Sequence, residues 1–236
     1  MNKKLPNFVA LLGITLLFIS ATIDLDNLFN YANQSKPNYI NKDNTADGNQ
    51  IDDKIATLGR VLFYDKKLSA NNTIACASCH KQEKAFGDDA TQSVGLNGSL
   101  TGRHSMRLIN SRFSDENKFF WDERAASLED QTTKPIQDHV EMGFSGTEGD
   151  PDFNDLITKL SAVDYYQELF KFAFGDETIT ERKMQLALAQ FIRSIQSFDS
   201  KFDVGLVQVN NPNNDFPNFT AQENLGKRLF RDPPNM

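Results

Sequence analysis

The sequence predicts an all-α fold, and three observations carry that prediction. Apolar residues recur at helical spacing in three windows: Ile55, Leu58, Val61 and Leu62; Phe153, Leu156, Ile157 and Leu160; and Met184, Leu188, Phe191, Ile192, Ile195 and Phe198. Helix start and stop residues bracket the last two windows. No run alternates between apolar and polar residues as a half-buried strand requires. The 236-residue chain has a formal charge of −7. An acidic balance argues against nucleic acid and anionic membrane surfaces, and mildly favours a basic partner.

Taken in order, residues 1–22 read as a secretory signal. Lys3 and Lys4 form a positive start, Phe8 to Ile19 a mostly apolar run, and Ser20-Ala21-Thr22 a small-residue cleavage region. The apolar run is short for a membrane span. An uncleaved anchor is the alternative, and only then would the chain touch a membrane. Residues 23–50 are rich in Asn, Asp and Ser, which predicts a flexible linker adding little to a core. Residues 51–236 suffice for one domain with a full core and part of another.

From Asp52 the pattern is helical and runs to Tyr64-Asp65. Gly87 to Gly102, with its glycines and Asn97, reads as a loop. Asp150-Pro151 reads as an N-cap and first-turn pair for the helix carrying Phe153 to Leu160. Val163 to Phe174 continues helical and aromatic, with Gly175 as its stop. Thr178 to Glu181 fits a capping box for the long apolar stripe that follows.

Between the first helix and the loop lies Cys76-Ala77-Ser78-Cys79-His80, which holds both cysteines of the chain. C-x-x-C-H is the attachment signature of c-type haem. Each thiol forms a thioether with a haem vinyl group, and the histidine is placed to ligate the iron. Zinc would need further ligands, and no second cysteine pair exists. A thioredoxin-type pair would follow a strand in a βαβ pattern that this region lacks. The motif therefore predicts an exported, periplasmic c-type cytochrome domain with helices wrapped around one covalent haem and His80 as its metal ligand. Bacterial c-type haem is attached outside the cytoplasmic membrane, in agreement with the signal.

An octamer recurs. Leu58-Gly59-Arg60-Val61-Leu62-Phe63-Tyr64-Asp65 returns as Leu225-Gly226-Lys227-Arg228-Leu229-Phe230-Arg231-Asp232. The first haem cysteine follows Gly59 by seventeen residues, and the same offset from Gly226 falls beyond Met236. The expectation is an N-terminal cytochrome domain over 51–203, then residues 204–236 as the start of a truncated second one, with a second haem in the full-length protein. Chance likeness between two amphipathic helices is the alternative.

The run from the haem motif through Phe120-Trp121-Asp122-Glu123-Arg124-Ala125, then Leu128, Gln131, Pro135 and Glu141-Met142, resembles bacterial di-haem cytochrome c peroxidases and the related MauG-like proteins. Leu188-Ala189-Gln190-Phe191-Ile192-Arg193-Ser194-Ile195, continuing to Phe202-Asp203, is similar to the family's long helix and the turn after it. The resemblance implies a peroxidase that reduces hydrogen peroxide to water with electrons from a small donor protein, a cytochrome c or a cupredoxin. It implies a distal pocket of Gln131, Pro135 and Glu141. Glu141 would be the acid/base, its pKa raised by the apolar pocket, and Gln131 would orient the peroxide. Solvated helix-face positions are the ordinary reading of both residues, and a helix-start proline that of Pro135.

Trp121, the only tryptophan, matches a family residue between the two haems that helps electrons pass; a core role in the Phe119-Phe120-Trp121 cluster is equally compatible. Arg103 and Arg124 are candidates for haem propionates or ordinary surface arginines. The chain departs from the family at Leu96, where many peroxidases carry a histidine that caps the resting iron. Leucine cannot ligate, so the first haem would be five-coordinate or water-bound, as in MauG-like members. His104 stands where the family has a calcium-binding asparagine, which puts calcium in doubt; it is also a conceivable replacement cap. Glu123 replaces a usual glycine. His139 reads as an exposed helix residue with no ligand spacing around it.

Two other functions stay open. A MauG-like oxidase acting on a protein substrate differs from a peroxidase in the distal ligand of the second haem, which lies outside this sequence. A mono-haem electron-transfer cytochrome c would need a sixth ligand, with Met106 and Met142 available.

Overall fold

A computed structural model describes residues 27–232. The leader proposed for residues 1–22 lies outside the described residues. Eight α-helices are present among them: α1 Asp53–Tyr64, α2 Cys76–Cys79, α3 Leu128–Thr132, α4 Phe153–Ser161, α5 Asp164–Phe174, α6 Glu181–Arg193, α7 Lys201–Val209 and α8 Ala221–Arg231. Four short 3-10 turns, Lys66–Leu68, Gln82–Lys84, Leu96–Gly98 and Ser111–Phe113, lie between them, and strand-like pairing among the described residues is limited to isolated bridges at Lys81 with Gly87, Val94 with Leu100 and Phe119 with Ala125. The fold is all-α, as the periodicity predicts. No helix among the described residues is long and apolar enough to cross a membrane.

The core forms where α1 lies along α6, the most extensive helix pair in the molecule. Ala56, Leu58, Leu62 and Phe63 of α1 meet Met184, Ala187, Leu188, Phe191 and Ile192 of α6, all buried. The close approach depends on Gly59, where a Cβ would stand 2.0 Å from the Ala187 carbonyl oxygen. α5 closes the far side of α1 through Tyr166, Leu169 and Phe170. Asp65, at the end of α1, accepts from the Tyr165 hydroxyl at 2.6 Å and the Tyr166 hydroxyl at 2.8 Å.

Two helix starts differ from the sequence reading. α4 is capped by Asp152, which accepts from the Asn154 and Asp155 amides, while Asp155 returns a bond to the Asp152 amide. Asp150 instead accepts from Ser145 and faces His139. α6 is capped by Thr180, which accepts from Lys183 N, because the helix opens after Thr180 and leaves Thr178 outside. Gly175 ends α5 with φ of +84°. The helical stripe of α6 stops at Arg193, and Phe198 lies beyond it against Phe113.

The segment expected to add little to the core does otherwise. Residues 27–50 hold no helix or strand, but they are docked. Tyr31 is buried against Phe191, and its amide donates to Asp53. Asn49 donates to Glu129 at 2.6 Å and accepts from Gln190 at 2.7 Å, both inside the protein. Arg193 completes this interior network with a two-pronged pair to Glu129, at 2.5 and 3.1 Å, and a bond to Asn44. Burial raises the Glu129 carboxyl pKa, but Arg193 and Asn49 outweigh it and hold the group below its ordinary value.

α7 and α8 pack around Phe216, which is buried between Phe202 and Phe219. α8 is the second copy of the octamer. Its Leu225 and Leu229 are each 50% exposed and Phe230 is 90% exposed, whereas Leu58, Leu62 and Phe63 of the first copy are buried.

Candidate functional site

α2 is one turn long, and its sequence is the haem motif. It follows Ala75 in extended conformation, and the Ser78 hydroxyl accepts from the Ala75 amide. His80 ends the turn, its amide bonded to the Cys76 carbonyl at 2.9 Å. The thiols of Cys76 and Cys79 and the His80 ring all come to one place. A cavity of about 580 Å³ is lined by Cys79, His80, Gln131, Pro135 and Glu141, and its mouth by Arg103, His104 and Trp121. A smaller one shares those first five residues and adds Cys76 with the apolar Phe63, Ile74, Met142, Leu188 and Ile192.

This lining fits a covalently held haem. Two thiols one helical turn apart, one imidazole, an apolar wall and a polar mouth form the donor set that a c-type haem requires. Burial pushes the Cys76 thiol up to about 12 and also raises Cys79, with neighbouring Cys79 and Glu141 adding to the effect on Cys76. Reactive redox pairs have lowered thiol pKa values, so the environment is unlike theirs. Among the described residues no group of three or more His, Cys, Asp and Glu is placed to hold a metal ion.

His80 is fixed from behind. Its Nδ1 lies 2.9 Å from the Phe86 carbonyl oxygen and 3.1 Å from Ser105 Oγ. The Phe63 ring lies tilted beside the imidazole, with 6.4 Å between centroids. Burial lowers the His80 pKa, opposed by the Phe86 and Met106 backbone. A neutral imidazole is the form that binds a metal.

Gln131 comes from α3, which Ser127 caps by accepting from Asp130 N. Pro135, in the turns after α3, and Glu141 follow on the same side, so these three expected pocket residues stand together. The Glu141 pKa is raised to about 6, mainly by burial, with Asp138 adding to the rise and Arg124 opposing it. The turn that carries Glu141 is capped from within: Asp138 accepts from the Val140 and Glu141 amides at 2.9 and 3.0 Å.

Trp121 is 58% exposed, so the core position that the sequence allows is not the one it takes. It stands at the cavity mouth with Nε1 donating to the His104 carbonyl at 2.8 Å. Asp122 beside it pairs with Arg103 and Arg124 at 2.9 and 2.8 Å. His104 is exposed, its ring 2.8 Å from the Ala90 carbonyl oxygen. Glu123 takes φ of +55°, which explains why a glycine suits the position. Leu96 is buried but lines neither cavity; its side chain fills the space a Cβ on Gly143 would need. His139 is exposed in a turn, not a helix, and faces Asp150 at 2.8 Å. Met106 lines the larger cavity and buried Met142 the smaller.

Sequence reasoning missed two contributors, Ser105 and the Phe86 carbonyl. The only signal for the second was a chain that must turn sharply between His80 and Gly87.

Residues 53–210 match the family described as di-haem cytochrome c peroxidase. Over 148 residues the chain is 34% identical to the methylamine utilization protein MauG of Methylophilus methylotrophus, covering 63% of this chain and 42% of that protein. It is 32% identical over 179 residues to the cytochrome c peroxidase Ccp of Escherichia coli, covering 74% of this chain and 34% of that one. Among solved structures, a MauG-like protein associated with microbial copper homeostasis superposes with a TM-score of 0.70 at 30% identity, covering 84% of this chain and 54% of that chain. The chain thus spans well under two thirds of the relatives it matches.

Proposed function

The chain belongs to the di-haem cytochrome c peroxidase family, and on that premise we propose that it forms the peroxide-reducing part of such an enzyme. Cys76 and Cys79 would hold one c-type haem through thioethers, with His80 as its ligand. When bound, the haem would supply the site and the electrons for cleaving the O–O bond. The protein groups manage protons and position. Reducing hydrogen peroxide to two waters consumes two electrons and two protons. Glu141 would take the proton from one peroxide oxygen and return it to the other. Gln131 orients the substrate through its amide, and Pro135 shapes the pocket wall.

The observation that carries this reading is Glu141, a carboxyl with a pKa of about 6 in the cavity that also holds His80. A group that titrates near neutrality can both accept and donate a proton at working pH.

Residues 204–236 would open a second unit of the same kind; a small cytochrome c or cupredoxin would be the electron donor, and Trp121 would lie on the route between the two units. Export to the periplasm accords with the leader-like residues 1–22 and with covalent haem. Leu96 is packed against Gly143, so that loop offers no iron ligand and the first haem would be open to peroxide without reductive activation, as in MauG-like members.

The test is rapid mixing of the haem-loaded protein with hydrogen peroxide, comparing wild type and Glu141→Gln at equal haem content. Slowing by roughly 10²- to 10⁴-fold is expected for loss of a general acid/base. Unaltered rates remove Glu141 from the mechanism. A low-spin, six-coordinate spectrum with no peroxide reaction would instead support the electron-carrier reading.

A further inference from the structure

We propose that Ser105 is a positioning residue that sets the tautomer and electron-donating strength of His80. This inference rests on reading His80 as the haem ligand. Its basis is the pair of oxygens facing one ring nitrogen. Ser105 Oγ donates to the Cys79 carbonyl at 2.9 Å, so its proton is committed and a lone pair is left toward His80 Nδ1, 3.1 Å away. The second neighbour of Nδ1, the Phe86 carbonyl at 2.9 Å, is also an acceptor. With two acceptors facing it, Nδ1 carries the proton and Nε2 keeps the lone pair that a metal uses.

The backbone invests strain in this arrangement. Ala85 and Phe86 both take left-handed φ, +55° and +56°, which is costly for residues with a Cβ. The loop is closed by Phe86 N to Lys81 O at 2.9 Å and Lys81 N to Gly87 O at 2.8 Å. Those two residues turn the Phe86 carbonyl back toward the ring. A single acceptor would leave the imidazole free to swing about it. Ser105, tied to the Cys79 carbonyl inside the same motif, supplies a second point that fixes the ring plane. An imidazole that donates to two oxygens is a more electron-rich ligand than one that donates to one.

The experiment uses the full haem-loaded chain with Ser105→Ala and the isosteric pair Ser105→Thr and Ser105→Val. Haem content is measured first, then the midpoint potential and the iron–histidine stretching frequency of the ferrous form. Ala and Val are expected to shift the potential upward and the stretch to lower frequency, whereas Thr restores both. Identical values for Thr and Val overturn the assignment, as does an unshifted Ala variant with full haem. If Ala fails to attach haem, the Thr and Val comparison decides. A wild-type chain that takes up no haem overturns this inference together with the haem reading, and the haem measurement separates that case from the others.

Discussion

The Leu96 amide donates to the Val140 carbonyl at 2.8 Å, which ties the loop after the haem motif to the turn that carries Glu141. The loop is itself closed by Gly95 N to Ser99 O at 2.7 Å and Thr101 N to Ser93 O at 2.9 Å. Leu96 then buries its side chain against Gly143, on the far side of Glu141. A side chain that offers no metal ligand therefore acts as a prop for Glu141, the proposed acid/base.

That prop requires a glycine beside it. A Cβ on Gly95 would stand 2.3 Å from the Val140 carbonyl oxygen, so Gly95→Ala must push the two loops apart. Overpacking of this kind costs about 1–3 kcal/mol. The expected result is a lower urea midpoint and a slower peroxide reaction with haem content unchanged. Equal peroxide rates in both proteins would show that the loop does not place Glu141.

The pH profile follows from the direction of the Glu141 shift. Its pKa lies at about 6, above the ordinary 4.5, so the folded protein keeps this proton at pH values where the unfolded chain has lost it. The contribution of Glu141 to stability therefore falls as pH rises from 4.5 to 6, and its base form accumulates above 6. The peroxide reaction is expected to rise through pH 6 and level off, and Glu141→Gln should abolish that inflection along with most of the rate. Stopped-flow mixing from pH 4.5 to 8 reads it directly. An inflection that survives the substitution belongs to another group.

How much of this was readable beforehand differs from element to element. α1, α5 and α6 were legible because each buries one stripe, and helical spacing records a buried stripe. That Cys76, Cys79 and His80 share one cavity was legible because a C-x-x-C-H turn brings those three side chains close together. The caps slipped, from Asp150 to Asp152 and from Thr178 to Thr180, because several acceptors stand near each helix start and only the backbone path selects one. Residues 27–50 were misread for a related reason. Asn44 and Asn49 look solvated by composition, yet each completes hydrogen bonds for Arg193, Glu129 or Gln190 from distant helices. Ser105 was invisible because a lone serine acquires meaning only from the His80 ring beside it.

The interior ion pair makes the misread segment testable. Arg193 and Glu129 are 1% and 3% exposed at their side chains, and removing one partner strands the other. Such a loss costs about 3–5 kcal/mol. Arg193→Met should lower stability by that order and speed amide exchange across residues 44–49, which Arg193 and Glu129 hold. The pH dependence has a definite sign: the Glu129 pKa is depressed in the folded state, so its contribution is present above the ordinary 4.5 and is lost as pH falls through the folded value. Acid unfolding that is identical in wild type and variant would remove the pair from the account.

The two octamers provide an internal control, because the same glycine occupies two environments. At Gly59 a Cβ meets the Ala187 carbonyl oxygen at 2.0 Å, a backbone atom that cannot swing aside; at Gly226 nothing lies within 4 Å. Both glycines sit inside helices, where alanine is intrinsically better by roughly 0.5–1 kcal/mol. At Gly226 that preference acts alone, so Gly226→Ala should stabilise α8 by up to that amount. At Gly59 the clash opposes it: α1 must move off α6, Phe191 must repack, and the net effect should be a loss of at least about 1–3 kcal/mol. Urea unfolding of the two variants, followed by helical circular dichroism, should show shifts of opposite sign. Because Phe63 of α1 and Leu188 and Ile192 of α6 all line the smaller cavity, Gly59→Ala should also reduce the amount of haem retained, and Gly226→Ala should leave it unchanged. Matching behaviour of the two variants would mean that α1 and α6 can move apart to admit a Cβ at Gly59 more easily than the 2.0 Å clash implies.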